Sequence, residues 1–185
     1  DIDLFAGITP GGANPPTVLL GWHSTANSNA NVTHGCVYGD SGAAPSLGDT
    51  VGGMEQCALV NTMLSLLDAE NDYLLGAIKI GLMVFNENGY SSFNNGTGLG
   101  NGDNRCGYLL VPPTLMDSSG INSFISKLKS IDKNNLANQS RLGDLIAESW
   151  AMLNGLATSC SGVDYSGLAE TATQCRDAVL VYIGN

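Results

Sequence analysis

Few side chains in this chain have the type and spacing that covalent chemistry needs. Gly39-Asp40-Ser41-Gly42 matches the tetrapeptide that surrounds the nucleophile in serine hydrolases. A serine hydroxyl attacks when an imidazole takes its proton, and both histidines, His23 and His34, precede Ser41. That order fits neither an esterase with its histidine near the C-terminus nor an all-β protease, so the tetrapeptide reads as a tight polar turn. A nucleotide phosphate loop places Lys directly after Gly, which happens nowhere here. Gly96, Gly98 and Gly100 stand between strands and read as turn residues. Glu87, Asn94, Asn95, Asn101, Asp103 and Asn104 offer the hard oxygen donors that calcium takes, but not at EF-hand spacing, and read as a surface loop. Asp144 and Glu148, one helical turn apart, read as a solvated helix face rather than a paired acid and base. The residues point away from an enzyme.

The balance of charge narrows the partners. The 185 residues carry 17 acids against 7 bases, a net charge of −10. Phosphate would be repelled and the bases are scattered, so nucleic acid is not an expected partner. No window reaches the roughly 18 consecutive apolar residues of a membrane span. Asparagine is abundant at 18 residues, so uncharged polar loops dominate the exterior. Cys36, Cys57, Cys106, Cys160 and Cys175 lack the short paired spacing of a zinc site, and disulfides are expected instead. Cys160 with Cys175 is the easiest closure, across a Ser-, Gly- and Thr-rich loop; Cys36 with Cys57 is the second candidate, and one thiol is left over. Asn31, Asn95 and Asn138 head Asn-x-Ser/Thr sequons, which suit an exterior surface.

Apolar periodicity supplies the elements that must position these groups. Thr17 to Trp22, Ile78 to Phe85, Gly107 to Val111 and Ala178 to Ile183 are short apolar runs that read as buried strands, the third stopped by Pro112-Pro113. Met54 to Ala69 reads as a helix with Met54, Cys57, Ala58, Asn61, Leu64 and Leu67 inward. Gly120 to Ile131 is a second helix, with Ile121, Phe124, Ile125 and Leu128 inward and Ser118 or Ser119 as its cap. Ser140 to Leu153 is a third, with Leu142, Leu145, Ile146, Ser149 and Met152 or Leu153 inward. Strands apolar on both faces and alternating with helices predict an α/β domain: a doubly wound, mostly parallel sheet with helices on both faces. Ligands of such sheets sit beyond the carboxyl ends of the strands, here after Trp22 and after Ile183.

The segment after the first strand, Gly21-Trp22-His23-Ser24-Thr25-Ala26-Asn27, resembles the start of a von Willebrand factor A domain of the PilY/PilC type of pilus-tip adhesin. There the strand runs into Asp-Asn-Ser/Thr-Ala-Asn-Trp. Pro15-Pro16-Thr17-Val18-Leu19-Leu20, Ile80-Gly81-Leu82-Met83-Val84-Phe85-Asn86, Gly107-Tyr108, Leu145-Ile146-Ala147-Glu148-Ser149 and Val181-Tyr182-Ile183-Gly184-Asn185 are similar to that family in the same order. The resemblance implies a metal site at His23, Thr25, Asn27, Ser140 and Asn185, with His23 and Asn185 where the family has carboxylates. Magnesium prefers hard anionic oxygen, so the implied site is degenerate: no cofactor is expected, with magnesium or calcium as the ions to test.

The resemblance further implies a single von Willebrand A-like domain over 1–185, incomplete at its C-terminus. The outer edge of the fourth strand, at Val179, Val181 and Ile183, is then open to another chain. The implied function is a non-catalytic binding or assembly module, extracellular and cell-surface or pilus-associated, that mediates adhesion or contacts pilins. The alternative is a structural subunit of an extracellular filament or surface layer that packs through the same fold.

Overall fold

Pro15 and Pro16 hold the backbone extended ahead of the first strand, β1 (Thr17–Trp22). The computed structural model describes residues 15–24, 26–85, 107–133, 142–158, 163–168 and 178–184. Among the described residues β1 is followed by helix α1 (Val51–Ser65), strands β2 (Lys79–Phe85) and β3 (Gly107–Leu115), helices α2 (Ser118–Lys129) and α3 (Leu142–Asn154), and strand β4 (Ala178–Ile183). Short 3-10 turns occupy Ala26–Asn29 and Ala69–Leu74. The chain is thus an α/β protein with a four-stranded mixed sheet.

The strand order is β3-β2-β1-β4. β1 pairs in parallel with β2, Thr17 opposite Lys79, and with β4, Thr17 opposite Ala178. β3 runs antiparallel to β2 and continues through Pro112-Pro113 to Leu115, past the stop expected from the sequence. Its position explains the tolerance: among the described residues β3 is bonded on one side, where a proline facing away from β2 costs no ladder bond, and the register shifts between Ile80 and Leu82, so that neither proline is paired with β2. Gly81 sits at that irregularity, where a Cβ would come within 3.2 Å of the Val111 carbonyl and Pro113 nitrogen.

Alternation along the strands sends side chains into two cores. Leu20, Trp22, Leu82, Val84, Tyr108 and Leu110 join Leu59, Val60 and Met63 of α1 and Ile121, Phe124, Ile125 and Leu128 of α2. Their strand neighbours Leu19, Met83 and Leu109 pack with Leu145, Ala151 and Met152 of α3 and with Tyr165. Residues one apart pointing to opposite faces is the period-2 rule of a strand.

The helices depart from the expected faces. α1 begins at Val51, capped by Thr50, whose hydroxyl accepts from the Gly53 amide at 3.0 Å. It therefore includes Gly52 and Gly53; a side chain on Gly53 would collide with the Gly48 carbonyl. Its buried face is Gln56, Cys57, Leu59, Val60 and Met63, while Met54 and Ala58 are exposed. This helix is rich in apolar residues all round, so spacing alone could not choose its face. α2 is capped by Asp117, accepting from Gly120 at 2.7 Å, rather than by a serine. On α3, Leu142 and Ile146 are exposed and Glu148 is buried, the reverse of the expected assignment.

One carboxamide links three of these segments. Gln56, fully buried, donates from Nε2 to the Leu128 and Ile131 carbonyls at 2.7 and 2.9 Å, and its Oε1 accepts from the Leu47 amide at 3.4 Å. The Ser46 hydroxyl, which shares this network, donates to the Ile131 carbonyl at 2.6 Å. Replacing Gln56 with Leu removes two donors from these carbonyls, which keep the Ser46 hydroxyl and the Ile131 amide, and takes the acceptor from the Leu47 amide, so we expect a loss of roughly 1–2 kcal/mol. Urea denaturation of wild type and variant measures it, and an unchanged midpoint would refute the assignment.

Candidate functional site

The carboxyl ends of β1 and β4 meet the first turns of α1 at one end of the sheet. Trp22 ends β1 fully buried, and its indole Nε1 donates to Glu55 Oε2 at 2.8 Å. Glu55 is the single charged residue of α1. Burial pushes its carboxyl above the ordinary range, and the indole hydrogen bond opposes that rise. A carboxylate that is partly desolvated but holds one firm donor is a polar anchor for the end of β1.

His23 follows at once, 4% exposed. Its amide donates to the Ile183 carbonyl at 2.8 Å, and its ring lies 5.9 Å from that of Tyr182, tilted by 44°. Burial lowers its pKa, so the imidazole is neutral near pH 7. Burial also raises the Tyr182 phenol, and the negative charge of Glu55 adds to the rise. Gly184 completes the arrangement: a Cβ there would stand 2.6 Å from His23 Cβ and 2.7 Å from the Tyr182 hydroxyl. A side chain at this position would have to displace one ring or the other.

Of the five residues expected to surround a metal, His23 alone has a described side chain. Thr25, Ser140 and Asn185 lie outside the described residues, and Asn27 has its backbone in the Ala26–Asn29 turn but its side chain outside them. A buried neutral imidazole beside a tyrosine ring brings no anionic oxygen, so the described part of the donor set does not fit magnesium. Among the described residues, no three His, Cys, Asp or Glu side chains gather as a cation cluster. The Asn-rich loop considered for calcium lies outside the described residues.

Other expected groups have structural partners. Asp40 pairs with Lys129 at 2.6 Å, which holds its carboxyl below the ordinary range, and Ser41 donates to Asp40 at 3.1 Å. The Lys129 ammonium stands 4.6 Å from the centre of the Tyr38 ring. Gly42, at φ +66°, donates to the Tyr38 carbonyl at 2.7 Å, so the Gly-Asp-Ser-Gly tetrapeptide is the tight turn expected. His34 Nδ1 accepts from the Cys36 amide at 2.9 Å, which leaves its Nε2 to donate to the Gly48 carbonyl at 3.0 Å. Glu148, expected to be solvated, is 1% exposed and accepts from Tyr165 at 2.7 Å and Thr158 at 2.9 Å.

The disulfide found among the described residues joins Cys36 to Cys57, with Cα atoms 6.3 Å apart. It was the second candidate from the sequence; Cys160 and Cys175 lie outside the described residues. Closing 21 residues, it restricts the unfolded chain by roughly 3 kcal/mol in the loop-entropy model. Asn31 is exposed, and the other two sequons are outside the described residues. The expected partner edge is β4, whose six residues all pair with β1; Val179 and Ile183 are half-buried and Val181 is 40% exposed.

Sequence reasoning missed Glu55 and Tyr182 as parts of this site. The available signal was a lone acid in an otherwise uncharged helix that follows a strand ending in Trp.

Glu55 makes a testable contribution to pH dependence. Its folded pKa lies above the ordinary 4.5, so the folded state binds more protons and stability falls as pH rises from 4.5 through the raised value. His23, lowered from 6.5, contributes the opposite slope below that pH. Glu55→Gln isolates the first term: the stability difference between variant and wild type should change across that window in favour of the variant as pH rises. Urea midpoints measured at intervals from acid to neutral pH read it, and a constant difference would refute it.

Compared with protein-family models, curated proteins and solved structures, the chain gives no match.

Proposed function

We propose that this chain is a non-catalytic, extracellular binding or assembly module of the von Willebrand A type, from a pilus-associated protein similar to PilY/PilC adhesins. The observation that carries the reading is the buried, neutral His23 at the carboxyl end of β1. In the family that resemblance names, the corresponding position holds a metal-binding carboxylate. On this reading the sheet is the doubly wound, mostly parallel one of that family, and its ligand face works without a metal, through hydrogen bonds and aromatic surface. The Cys36–Cys57 disulfide supports an oxidising location such as the cell exterior. Minor pilins are the partners it would contact.

A second reading is a structural subunit of an extracellular filament or surface layer. It is favoured by exposed apolar side chains on α3: Leu142 at 38%, Ile146 at 44% and Trp150 at 59%.

The test combines metal response with partner binding. An ion held by the native state at a hundred times its Kd would add about 2.7 kcal/mol, a rise of several degrees in Tm. The expected outcome is the same Tm in magnesium, calcium and chelator, together with capture of the chain by immobilised purified minor pilins in all three. A magnesium-dependent rise in Tm overturns the metal-free reading. Filament growth by the purified chain alone, without pilin capture, selects the structural subunit.

A further inference from the structure

Among the described residues, β4 and the flank of α3 that carries Leu142, Ile146 and Trp150 are uncharged. Among the described residues β4 bonds β1 along one side, and its sequence Ala-Val-Leu-Val-Tyr-Ile contains no charge, proline or bulge. Those are the devices by which natural edge strands avoid pairing. Above the same sheet face, the orientation of α3 follows from its contacts. Leu145 and Ser149 sit over Gly21 of β1, while Glu148 Cβ lies toward β3, 3.1 Å from where Gly107 would carry a Cβ. Successive residues turn by about 100° around a helix, so Leu142, Ile146 and Trp150 fall on the flank away from Glu148. That is the flank on the β4 side. The opposite flank is already occupied, since Glu148 is bonded by Thr158 and Tyr165.

The exposed area is large enough for an interface. The accessible parts of Leu142, Ile146, Trp150 and Tyr182 on the α3 face, with Val181 on the opposite face of the same edge, amount to roughly 500 Å². Six residues of strand backbone add to this and bring one side near the roughly 800 Å² per partner of a stable complex. The surface carries no charge code for an oppositely charged partner. Its symmetry suits a copy of itself: antiparallel pairing about a two-fold axis normal to the sheet keeps both α3 helices on one face.

We propose that two copies of this chain pair antiparallel through β4, with Val181 opposite its counterpart, and that the Leu142–Ile146–Trp150 flanks meet across the axis. Leu180 then stands opposite Tyr182 of the second copy, and Val179 opposite Ile183, each pair on a shared face. The joined sheet has eight strands. The surface shares Tyr182 with the His23–Tyr182 site, but the inference does not rest on pilin binding there. A chain that fails to bind pilin but dimerises leaves this inference intact.

Sedimentation equilibrium of the full chain over about 1 to 100 µM tests it, with a dimer of Kd on the order of 10 µM expected. Because each copy carries a charge of −10, added salt should tighten the dimer. Val181→Lys, which charges the edge, and Trp150→Glu, which charges the α3 flank, should each weaken it by about tenfold or more. Both positions are exposed, and circular dichroism checks that the variants fold. A monomer throughout the range, or a dimer insensitive to both substitutions, overturns the proposal.

Discussion

Gln56 occupies the point where α1, α2 and the segment before α1 must agree. Its carboxamide is fully buried and ties the Leu47 amide to the last carbonyls of α2. α1 in turn presents Glu55, one residue earlier, to the indole at the end of β1. The position of the candidate face at the end of β1 therefore depends on a network behind it. Adjacent residues on a helix point about 100° apart, so the amide can face the helix pair while the carboxylate faces the strand end. A shift of α1 along its axis would break both sets of bonds together.

The apolar runs made the four strands legible, because a strand covered on both faces needs few polar residues. The orientation of β3 was not legible: parallel and antiparallel partners impose the same apolar demand on a short run. Its passage through Pro112-Pro113 depended on lying at the end of the sheet, which is a property of topology. Helix faces separated by composition. α2 has a clear polar side and buried the residues its spacing indicated. α1 and α3 have apolar residues on several sides, so the choice fell to tertiary partners such as Gln56 and Glu148.

The site was legible only in its location. Strand ends in an α/β sheet are where ligands gather, and His23 stands there. Its meaning changed with burial, since a histidine in sequence is equally a ligand, a base or a packed ring. The Trp22–Glu55 bond spans 33 residues and the His23–Tyr182 contact crosses from β1 to β4. No local pattern encodes contacts of that range. Gly184 shows the same limit: its need for a bare α-carbon arises from two rings brought from different strands.

The two margins of the sheet are unequal. β3 forms one of them, with two consecutive residues that lack an amide hydrogen and a shifted register against its neighbour. β4 forms the other, regular over its full length. Among the described residues, the regular β4 margin is therefore better suited to extending the ladder than the β3 margin. If two copies pair through β4 as proposed, the prolines of β3 disfavour strand addition at the outer margins of the joined sheet.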